Sequence, residues 1–415
     1  MLEEFDVREI FPPESPIQSL FDSSITPYLN PFIQGFSVSI FAFGSSGSGK
    51  TQTIEGNKRE PGLILLFTDS LFSLLENKKY QTNIARNSQA QNFSYGVRVR
   101  YVEIIDEEIL DLLVVNNNRK ADPLQVVYHE WEGPTVVNSS WVTVNNSGQL
   151  GEVFSNAQRN RTNVANEFGK LSDKATSIFT LELIQTLELA DTKENLILIS
   201  KLNFFDLPSS EILLEDPESL RVRQGATMNK SIISLASVLK DLASTRNDYV
   251  FYENSFATHL MKDSLGGNCL TVGIFTVQHG DLKGSSLTLN YLKYSRKIVN
   301  FPVVNDGKAL GLLKKYRNEI IVNQNNLGRK GGDGDNYNYK IVELEKKLIE
   351  DNLDKMRNAD EKSRLSQKLS ELREKYNQLG KPKIISYFFC PHSSLKFHIN
   401  PHSSLKFQMI ISFIS

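Results

Sequence analysis

Two patterns of apolar and polar residues alternate along the first 305 residues of the chain. Residues 61–77 and 229–245 carry apolar side chains at helical spacing, which predicts two amphipathic helices. Other segments are rich in β-branched and aromatic residues, as strands usually are. These segments are FSVSIFAF (36–43), GVRVRYVEI (96–104), SIFTLELIQTLEL (177–189), LILISKLNFFD (196–206) and LTVGIFTV (270–277). Strands that alternate with helices predict an α/β fold, in which helices cover both faces of a central sheet.

The pattern changes near residue 325, because residues 323–339 are rich in Gly, Asn and Asp and predict a flexible linker. Beyond it, apolar residues recur at the a and d positions of one heptad register, which predicts a short coiled coil over 341–380. These residues are Ile341, Leu344, Leu348, Leu365, Leu369, Leu372, Tyr376 and Leu379. The intervening a and d positions are polar, so the segment could join two copies as a homodimer or stay a solvated single helix.

The last residues, 381–415, contain the sequence PHSSLKF at 391–397 and again at 401–407. Two copies are too few for a repeat fold. We interpret 381–415 as an unstructured tail that arises from a gene-model error, and we assign it no function.

Composition excludes several classes of function. The chain has 415 residues, 40% of them hydrophobic, and a formal net charge of -1, so no basic excess points to nucleic acid as a partner. Its two cysteines are too few for a disulfide framework or a zinc site, which favours a reducing compartment. The sequence shows neither a signal peptide nor a run of about 18 apolar residues, so we expect a cytoplasmic protein and no membrane segment.

The segment GSSGSGKT matches the phosphate-loop pattern G-x-x-x-x-G-K-[ST] and directly follows the predicted strand 36–43. Its residues are Gly44, Ser45, Ser46, Gly47, Ser48, Gly49, Lys50 and Thr51. Glycines allow successive backbone N–H groups to point at phosphate oxygens. We expect Lys50 to reach the β- and γ-phosphates and Thr51 to offer its hydroxyl to Mg²⁺. A Gly/Ser-rich turn without a ligand is the alternative, but the strand before the loop favours nucleotide binding.

Further segments, in the correct order, resemble the motifs of kinesin motor domains. They are FIQGFSVSIFAFGSSGSGKTQTIEG (32–56), RVRYVEIIDEEILDLL (98–113), LNFFDLPSSE (202–211), NKSIISLASVLKDLA (229–243), DSLGGNCLTVGIFTV (263–277) and LTLNYLKYSRKIVNFPVVN (287–305). On these motifs the chain is identified as a member of the kinesin superfamily, with an organisation like that of N-terminal motors. The resemblance implies a P-loop NTPase fold with a mostly parallel central sheet. It implies a motor domain over 1–305, followed by a neck and linker over 306–340.

The resemblance also implies roles for residues outside the phosphate loop. Asp206 begins the switch II sequence and is expected to bind Mg²⁺ through water, together with Thr51. Ser172 is expected to serve in switch I. Lys174 stands where the family has the switch I Arg, and it is expected to pair with Glu211 when the site closes. Movement of the switch II helix is expected to dock the segment 298–305.

Several positions depart from the family pattern. The first strand, whose Arg-x-Arg-Pro segment packs on the adenine, is missing, so we expect a chain truncated at its N-terminus or a sheet without that strand. Switch I is eroded, with Asp173 in place of the second Ser of the family motif. In switch II, Ser209 replaces the glycine that senses the γ-phosphate, and Pro208 restricts the backbone before it.

The face expected to meet the acidic surface of tubulin has also lost cations. Here Glu253, Phe256 and His259 replace three basic residues of the family, which predicts weakened microtubule binding. Glu103 and Asp111 lie in a signature that we expect to pass from strand to helix, and we assign them structural roles.

The expected function is that of a kinesin-like protein of the cytoplasm and cytoskeleton. It would bind ATP, Mg²⁺ and microtubules, and hydrolyse ATP faster on the track if its degenerate switches permit hydrolysis. The alternative is a non-motile scaffold that acts at cilia, centrioles or the spindle through its coiled coil. Neither hypothesis includes nucleic acid or a membrane as a partner.

Overall fold

The computed structural model describes residues 7–84, 90–114, 124–129, 132–167, 175–189, 195–214, 230–244, 250–307 and 409–414. The chain divides into two compact units. The larger unit comprises Val7–Val127, Gly133–Leu310 and His402–Ser415, and the smaller comprises Met1–Asp6, Tyr128–Glu132 and Gly311–Pro401. Of the smaller unit, Tyr128, His129 and Glu132 are among the described residues. The predicted coiled coil, 341–380, and the predicted neck and linker beyond Gly307 lie outside the described residues.

The described strands are β1 (Glu9–Phe11), β2 (Val38–Gly44), β3 (Ala90–Ile105), β4 (Glu108–Asp111), β5 (Gln125–His129), β6 (Gly133–Val137), β7 (Val142–Val144), β8 (Thr176–Leu189), β9 (Asn195–Asp206), β10 (Leu270–Thr276) and β11 (Met409–Ile414). The central sheet has the order β1-β11-β10-β2-β9-β8-β3-β4, and β7 also pairs with β3. Strand β2 is parallel to both β9 and β10, whereas the strands on either side of this trio pair antiparallel. The sheet is therefore mixed, and its parallel centre carries the phosphate loop.

The described helices are α1 (Ile17–Leu20), α2 (Leu29–Ile33), α3 (Lys50–Glu55), α4 (Leu63–Ile84), α5 (Ser147–Glu167), α6 (Lys230–Ala243), α7 (Phe256–Leu260) and α8 (Leu282–Ser295). The sheet separates two apolar clusters, one that includes side chains of α4 and α5 and one that includes side chains of α6 and α8. Strand β2 contributes to both, because successive side chains of a strand point to opposite faces. Ile40 and Ala42 belong to the first cluster, and Phe41 and Phe43 belong to the second.

The secondary structure confirms the α/β class and most of the predicted elements. All five predicted strands are present as β2, β3, β8, β9 and β10, and the two predicted helices are present as α4 and α6. Apolar runs of this length, bounded by polar or Gly-containing segments, are strong signals for buried strands. No helix in the part of the chain that the structure describes is long and apolar enough to cross a membrane.

The expected strand-to-helix transition after Glu103 is wrong. Strand β3 turns into β4 through Asp106 and Glu107, whose φ angles are 51° and 63°. Two consecutive residues with positive φ form the tight turn that matches the twist of a hairpin. The carboxylate of Glu107 accepts a hydrogen bond of 2.9 Å from the backbone N–H of Phe256 at the start of α7, so the hairpin is fixed to that helix.

Strand β11 lies within 381–415, where we expected no regular structure. It pairs antiparallel with β10 over Thr271 to Thr276 and with β1 on its other side. The sequence of β11, MIISFI, is β-branched and aromatic, which favours a strand, and β11 pairs with the edge of β10 opposite to β2.

Residues 301–306, which follow α8, are held against the sheet by hydrogen bonds. The backbone N–H of Phe301 donates to the carbonyl of Gly267 over 2.9 Å. Asn305 is buried, and its backbone N–H donates to the carbonyl of Gly35 over 2.9 Å, while its own carbonyl accepts from Ile199 over 3.0 Å. The segment expected to dock is therefore docked in this structure.

Candidate functional site

The phosphate loop joins the end of β2 to the start of α3, as the sequence predicts. Gly47 and Gly49 have φ angles of 71° and 104°, a left-handed conformation that glycine adopts without strain. Gly49 is the residue before α3, so the loop delivers backbone N–H groups at the N-terminus of that helix. This arrangement suits an anion such as phosphate.

Strand β10 limits the space around the first loop glycine. A Cβ atom at Gly44 would lie 2.3 Å from the carbonyl oxygen of Thr276, which is closer than real Cβ contacts. The hydroxyls of Ser48 and Thr276 are 2.6 Å apart, and Ser48 also donates to the carbonyl of Ser45 over 2.7 Å. The loop is therefore fixed to the neighbouring strand by contacts that need a glycine and two hydroxyls.

Lys50 is buried, and its ammonium is held by the loop itself. Its Nζ donates to the carbonyls of Gly44 and Ser45 over 3.1 and 2.8 Å. A mobile ammonium on a four-carbon stem can exchange such carbonyl partners for phosphate oxygens. The position fits the predicted role of Lys50.

Thr51 and Asp206 lie together, although 155 residues separate them. The hydroxyl of Thr51 donates to Oδ2 of Asp206 over 2.7 Å. Asp206 is the last residue of β9 and is opposite Ala42 of β2, so the parallel pairing brings its carboxylate to the phosphate loop. Hydroxyl and carboxylate oxygens are the ligands that Mg²⁺ prefers.

An unpartnered oxygen atom at the same place fits a hydrated ion. Among the described residues, Oδ1 of Asp206 is a buried atom that has no hydrogen-bond partner. Buried polar atoms are nearly always paired, so such atoms at a site call for a ligand or an ordered water. The donor set is thus compatible with Mg²⁺ bound to the phosphates of a nucleotide.

Arg161, to which the sequence analysis gave no role, is the cation at the centre of the site. Its guanidinium binds three buried carboxylates: Nε donates to Glu103 over 2.7 Å, Nη2 lies 3.4 Å from Asp206, and Nη1 donates to Glu55. Glu55, at the end of α3, also accepts a hydrogen bond of 2.6 Å from the phenol of Tyr101. Helix α5 therefore connects to the phosphate-loop helix, to β3 and to the end of β9 through one side chain.

The charges in this cluster shift each other's pKa. Burial would lower the pKa of Arg161, but Glu55, Asp206 and Glu103 outweigh it, so the guanidinium pKa lies well above its ordinary value. Burial raises the pKa of Asp206 and of Glu103, while Arg161 opposes the rise in both. Arg161 therefore favours the ionised form of both carboxylates, against the effect of burial.

Glu211 contacts the phosphate loop. Its carboxylate accepts a hydrogen bond of 3.1 Å from the backbone N–H of Ser46 in the phosphate loop. Its expected partner, Lys174, and the switch I residue Ser172 lie outside the described residues, so their roles stay predictions.

A cavity of 420 Å³ lies beside the phosphate loop. Its lining residues are Pro13, Glu14, Ser15, Pro16, Ile17, Gly49, Gln52, Thr53, Arg59 and Glu60. Residues 13–17 therefore lie next to the loop. The cavity is large enough for a nucleobase, and prolines offer flat apolar surfaces to it.

The face around α7 has the reduced positive charge that the sequence predicted. Glu253 is exposed, whereas Phe256 and His259 are half-buried. Burial lowers the pKa of His259, and Glu253 opposes that shift. His259 is therefore neutral at neutral pH and does not replace a cation there.

Comparison with known proteins agrees with this site. The family model described as "Kinesin motor domain" matches residues 2–300. The chain is 31% identical over 317 residues to kinesin-like protein KIF16B of Homo sapiens, and 31% identical over 312 residues to kinesin-like protein KIF14 of Homo sapiens. Each alignment covers 73% of this chain, but only 23% of KIF16B and 18% of KIF14. The chain thus spans about a fifth of the length of these relatives.

Solved structures show the same fold. A structure of KIF14 residues 391–772, a dimer with AMP-PNP in complex with a microtubule, is similar with a TM-score of 0.59 and 28% sequence identity. That similarity covers 74% of this chain and 83% of the KIF14 chain. These comparisons give no support to the alternative of a non-motile scaffold. The chain belongs to the kinesin motor domain family, whose members are microtubule-binding, ATP-driven motors.

Proposed function

We propose that this chain binds ATP with Mg²⁺ and hydrolyses it as a motor domain that a microtubule stimulates. The observation that carries the proposal is the pair of Thr51 and Asp206, whose oxygens lie 2.7 Å apart beside the phosphate loop. A phosphate loop alone indicates an anion site. The loop, its Thr and a buried acid from the adjacent parallel strand together are the parts that P-loop NTPases use.

Each part of the nucleotide has a place in the proposal. The triphosphate lies on the backbone N–H groups of Gly44–Thr51, with Lys50 as its cation. Thr51 and, through water, Asp206 hold Mg²⁺, which neutralises charge on the phosphates when it is bound. The base enters the cavity between residues 13–17 and Gln52.

The residues of the chain then position water and phosphate rather than supply a strong base. Arg161 favours the ionised form of Asp206 and fixes its carboxylate. Ser172 contributes a hydroxyl from switch I, and Lys174 pairs with Glu211 when the two switches close. Hydrolysis in such sites depends on positioning and on electrostatic stabilisation of the transferred phosphoryl group.

Docking of the segment 298–305 is the proposed mechanical output. Asn305 is bonded to Gly35, which precedes β2, and to Ile199 of β9. Strands β2 and β9 end at the phosphate loop and at Asp206. A change at the nucleotide site can therefore reach the docked segment along β2 and β9. The docked and the undocked arrangement of this segment are the two states of the switch.

The proposed partner is the microtubule, and the proposed location is the cytoskeleton of the cytoplasm. Glu253 and a neutral His259 weaken the attraction to an acidic track, so we expect a lower microtubule affinity than a basic face would give. We also propose a homodimer through 341–380. Nucleic acid and membranes are not among the proposed partners.

The test is ATP turnover by the full chain, with and without microtubules, compared with Lys50→Ala. We expect turnover that rises several-fold with microtubules and is lost in Lys50→Ala, because the phosphates lose their cation. Thr51→Ala is expected to need a higher Mg²⁺ concentration and to turn over more slowly, whereas Thr51→Ser, which keeps a hydroxyl, is expected to resemble the unchanged chain. Turnover that is the same in Lys50→Ala would contradict the proposal, provided that circular dichroism shows both chains to be folded.

A further inference from the structure

The carboxylate of Glu211 accepts a hydrogen bond from the backbone N–H of Ser46, which is a different contact from the expected ion pair with Lys174. The donor is a backbone N–H of the phosphate loop, and the acceptor is a carboxylate 165 residues later. Ser46 is half-buried and Glu211 is exposed, so the hydrogen bond lies at the mouth of the site rather than inside the core. The fold does not depend on an exposed carboxylate of this kind, and the contact can open without unfolding.

Backbone N–H groups of a phosphate loop are donors for anionic oxygens. A carboxylate oxygen is such an anion, and its hydrogen bond to an N–H resembles that of a phosphate oxygen. One N–H makes one strong, linear hydrogen bond, so Glu211 and a phosphate oxygen are alternative acceptors at Ser46. A negative charge beside the loop also repels the negative phosphates.

The position of Glu211 indicates which phosphate it opposes. Thr51 and Asp206 would hold Mg²⁺, which would neutralise charge on the terminal phosphates of a nucleotide. Glu211 follows Asp206 by five residues in the same segment that leaves β9, so it reaches the loop from the side of the metal. A triphosphate extends to this side, whereas a diphosphate ends before it.

We propose that Glu211 acts as an internal competitor of the terminal phosphate. Its carboxylate occupies the N–H of Ser46 and makes the chain favour a nucleoside diphosphate over a triphosphate. Glu211 is then a specificity-determining residue that discriminates between ATP and ADP. The inference rests on the proposed nucleotide site and adds to it a preference between the two nucleotides.

The test compares the affinities of the full chain for ADP and for AMP-PNP, both with Mg²⁺, by isothermal titration calorimetry. We expect Glu211→Ala to raise the affinity for AMP-PNP about 3- to 10-fold, an estimate reduced for the exposure of the contact. The affinity for ADP is expected to change less than about twofold. Glu211→Asp keeps the charge but is one methylene shorter. It is therefore expected to lose the hydrogen bond to Ser46 and to show part of the gain in affinity for AMP-PNP. Glu108→Ala, which removes an exposed carboxylate of β4, is the control for a general effect of charge.

A second readout does not need nucleotide. Amide hydrogen exchange of the peptide that contains Ser46 is expected to be faster in Glu211→Ala than in the unchanged chain, because the N–H loses its acceptor. Equal exchange, no gain for AMP-PNP, or an equal gain for both nucleotides would each overturn the inference while leaving nucleotide binding in place. If neither nucleotide binds the unchanged chain, the proposed function fails, and the inference fails with it.

Discussion

The guanidinium of Arg161 lies 3.4 Å from Oδ2 of Asp206, the same oxygen to which Thr51 donates its hydroxyl. One carboxylate oxygen thus joins the end of the switch II strand to α5 and to the phosphate-loop helix. Because Arg161 also binds Glu55 and Glu103, the nucleotide site is built on a buried ionic cluster rather than on the loop alone.

The first prediction concerns the loss of that cation. Arg161→Met removes the positive charge and leaves three carboxylates in a buried site without their common partner. We expect the free energy of unfolding to fall by about 3–5 kcal/mol, as for other broken buried ion pairs. Urea unfolding followed by circular dichroism measures it. Arg159→Met, an exposed arginine of the same helix, is the matched control, and equal losses in the two variants would contradict the prediction.

The second prediction concerns pH. Burial raises the pKa of Glu103 above its ordinary value of 4.5, and Arg161 opposes the rise. The folded state therefore binds the carboxyl proton of Glu103 more tightly than the unfolded state does. As the pH rises above 4.5, loss of this proton lowers the free energy of unfolding. Glu103→Gln keeps an oxygen for Arg161 but does not ionise. We expect its unfolding free energy, relative to that of the unchanged chain, to increase with pH.

Urea unfolding of both chains at a series of pH values above 4.5 measures this difference. Glu108→Gln, which removes an exposed carboxylate of β4, is the control and is expected to show a flat difference. A flat or falling difference for Glu103→Gln would show that Glu103 has no raised pKa in the folded state.

The third prediction concerns the close approach of β10 to the phosphate loop. A Cβ at Gly44 would lie 2.3 Å from the carbonyl of Thr276 and 2.8 Å from Oγ of Ser48. We expect Gly44→Ala to destabilise the fold by about 1–3 kcal/mol, because backbone must move to relieve the overlap. Gly96→Ala is the control: a Cβ there meets no described atom within 4 Å, and we expect a change within about 0.5 kcal/mol. Thermal unfolding of the two variants compares them, and equal stability would contradict the prediction.

The fourth prediction concerns the docked segment. The side chain of Asn305 donates to the carbonyl of Gly35 over 3.1 Å and to Ser37 over 3.2 Å, and it accepts from Asn268 over 2.9 Å. Each buried hydrogen bond contributes about 1 kcal/mol, so Asn305→Ala is expected to undock residues 301–306. Amide hydrogen exchange of a peptide over this segment is expected to accelerate at least about tenfold.

Peptides from β10 serve as an internal reference and are expected to keep their exchange rates. Leu282→Ala, which truncates an exposed side chain at the start of α8, is the control variant. Exchange that accelerates throughout the chain would show that Asn305 supports the whole fold, and unchanged exchange would show that its side chain does not hold the segment.

The sequence was sufficient for five strands, two helices and the phosphate loop. Strand β2, the phosphate loop and α3 are contiguous, so their pattern of apolar residues and glycines determines them locally. Asp206 was predictable because it ends a strongly apolar strand. The hairpin at Asp106 and Glu107 was not, since two acidic residues with positive φ carry no glycine signal.

Arg161 could not be found in this way. Its partners Glu55, Glu103 and Asp206 lie 106, 58 and 45 residues away, and only the packing of α5 against the sheet brings them together. A single arginine in an amphipathic helix is ordinarily a solvated residue. Likewise, the sequence places Glu211 in switch II but does not show that its carboxylate reaches Ser46.

The hydrogen bond between Ser48 and Thr276 spans 228 residues and has a consequence for biosynthesis. Strand β2 is made early, yet both of its neighbours, β9 and β10, come much later along the chain. Contacts of such high sequence separation form slowly, and on a ribosome they cannot form before the later strand has emerged. The phosphate loop therefore leaves the ribosome long before the strands that flank it, β9 and β10, have been made. Nucleotide can bind only a nearly complete domain, so it cannot guide the early steps of folding.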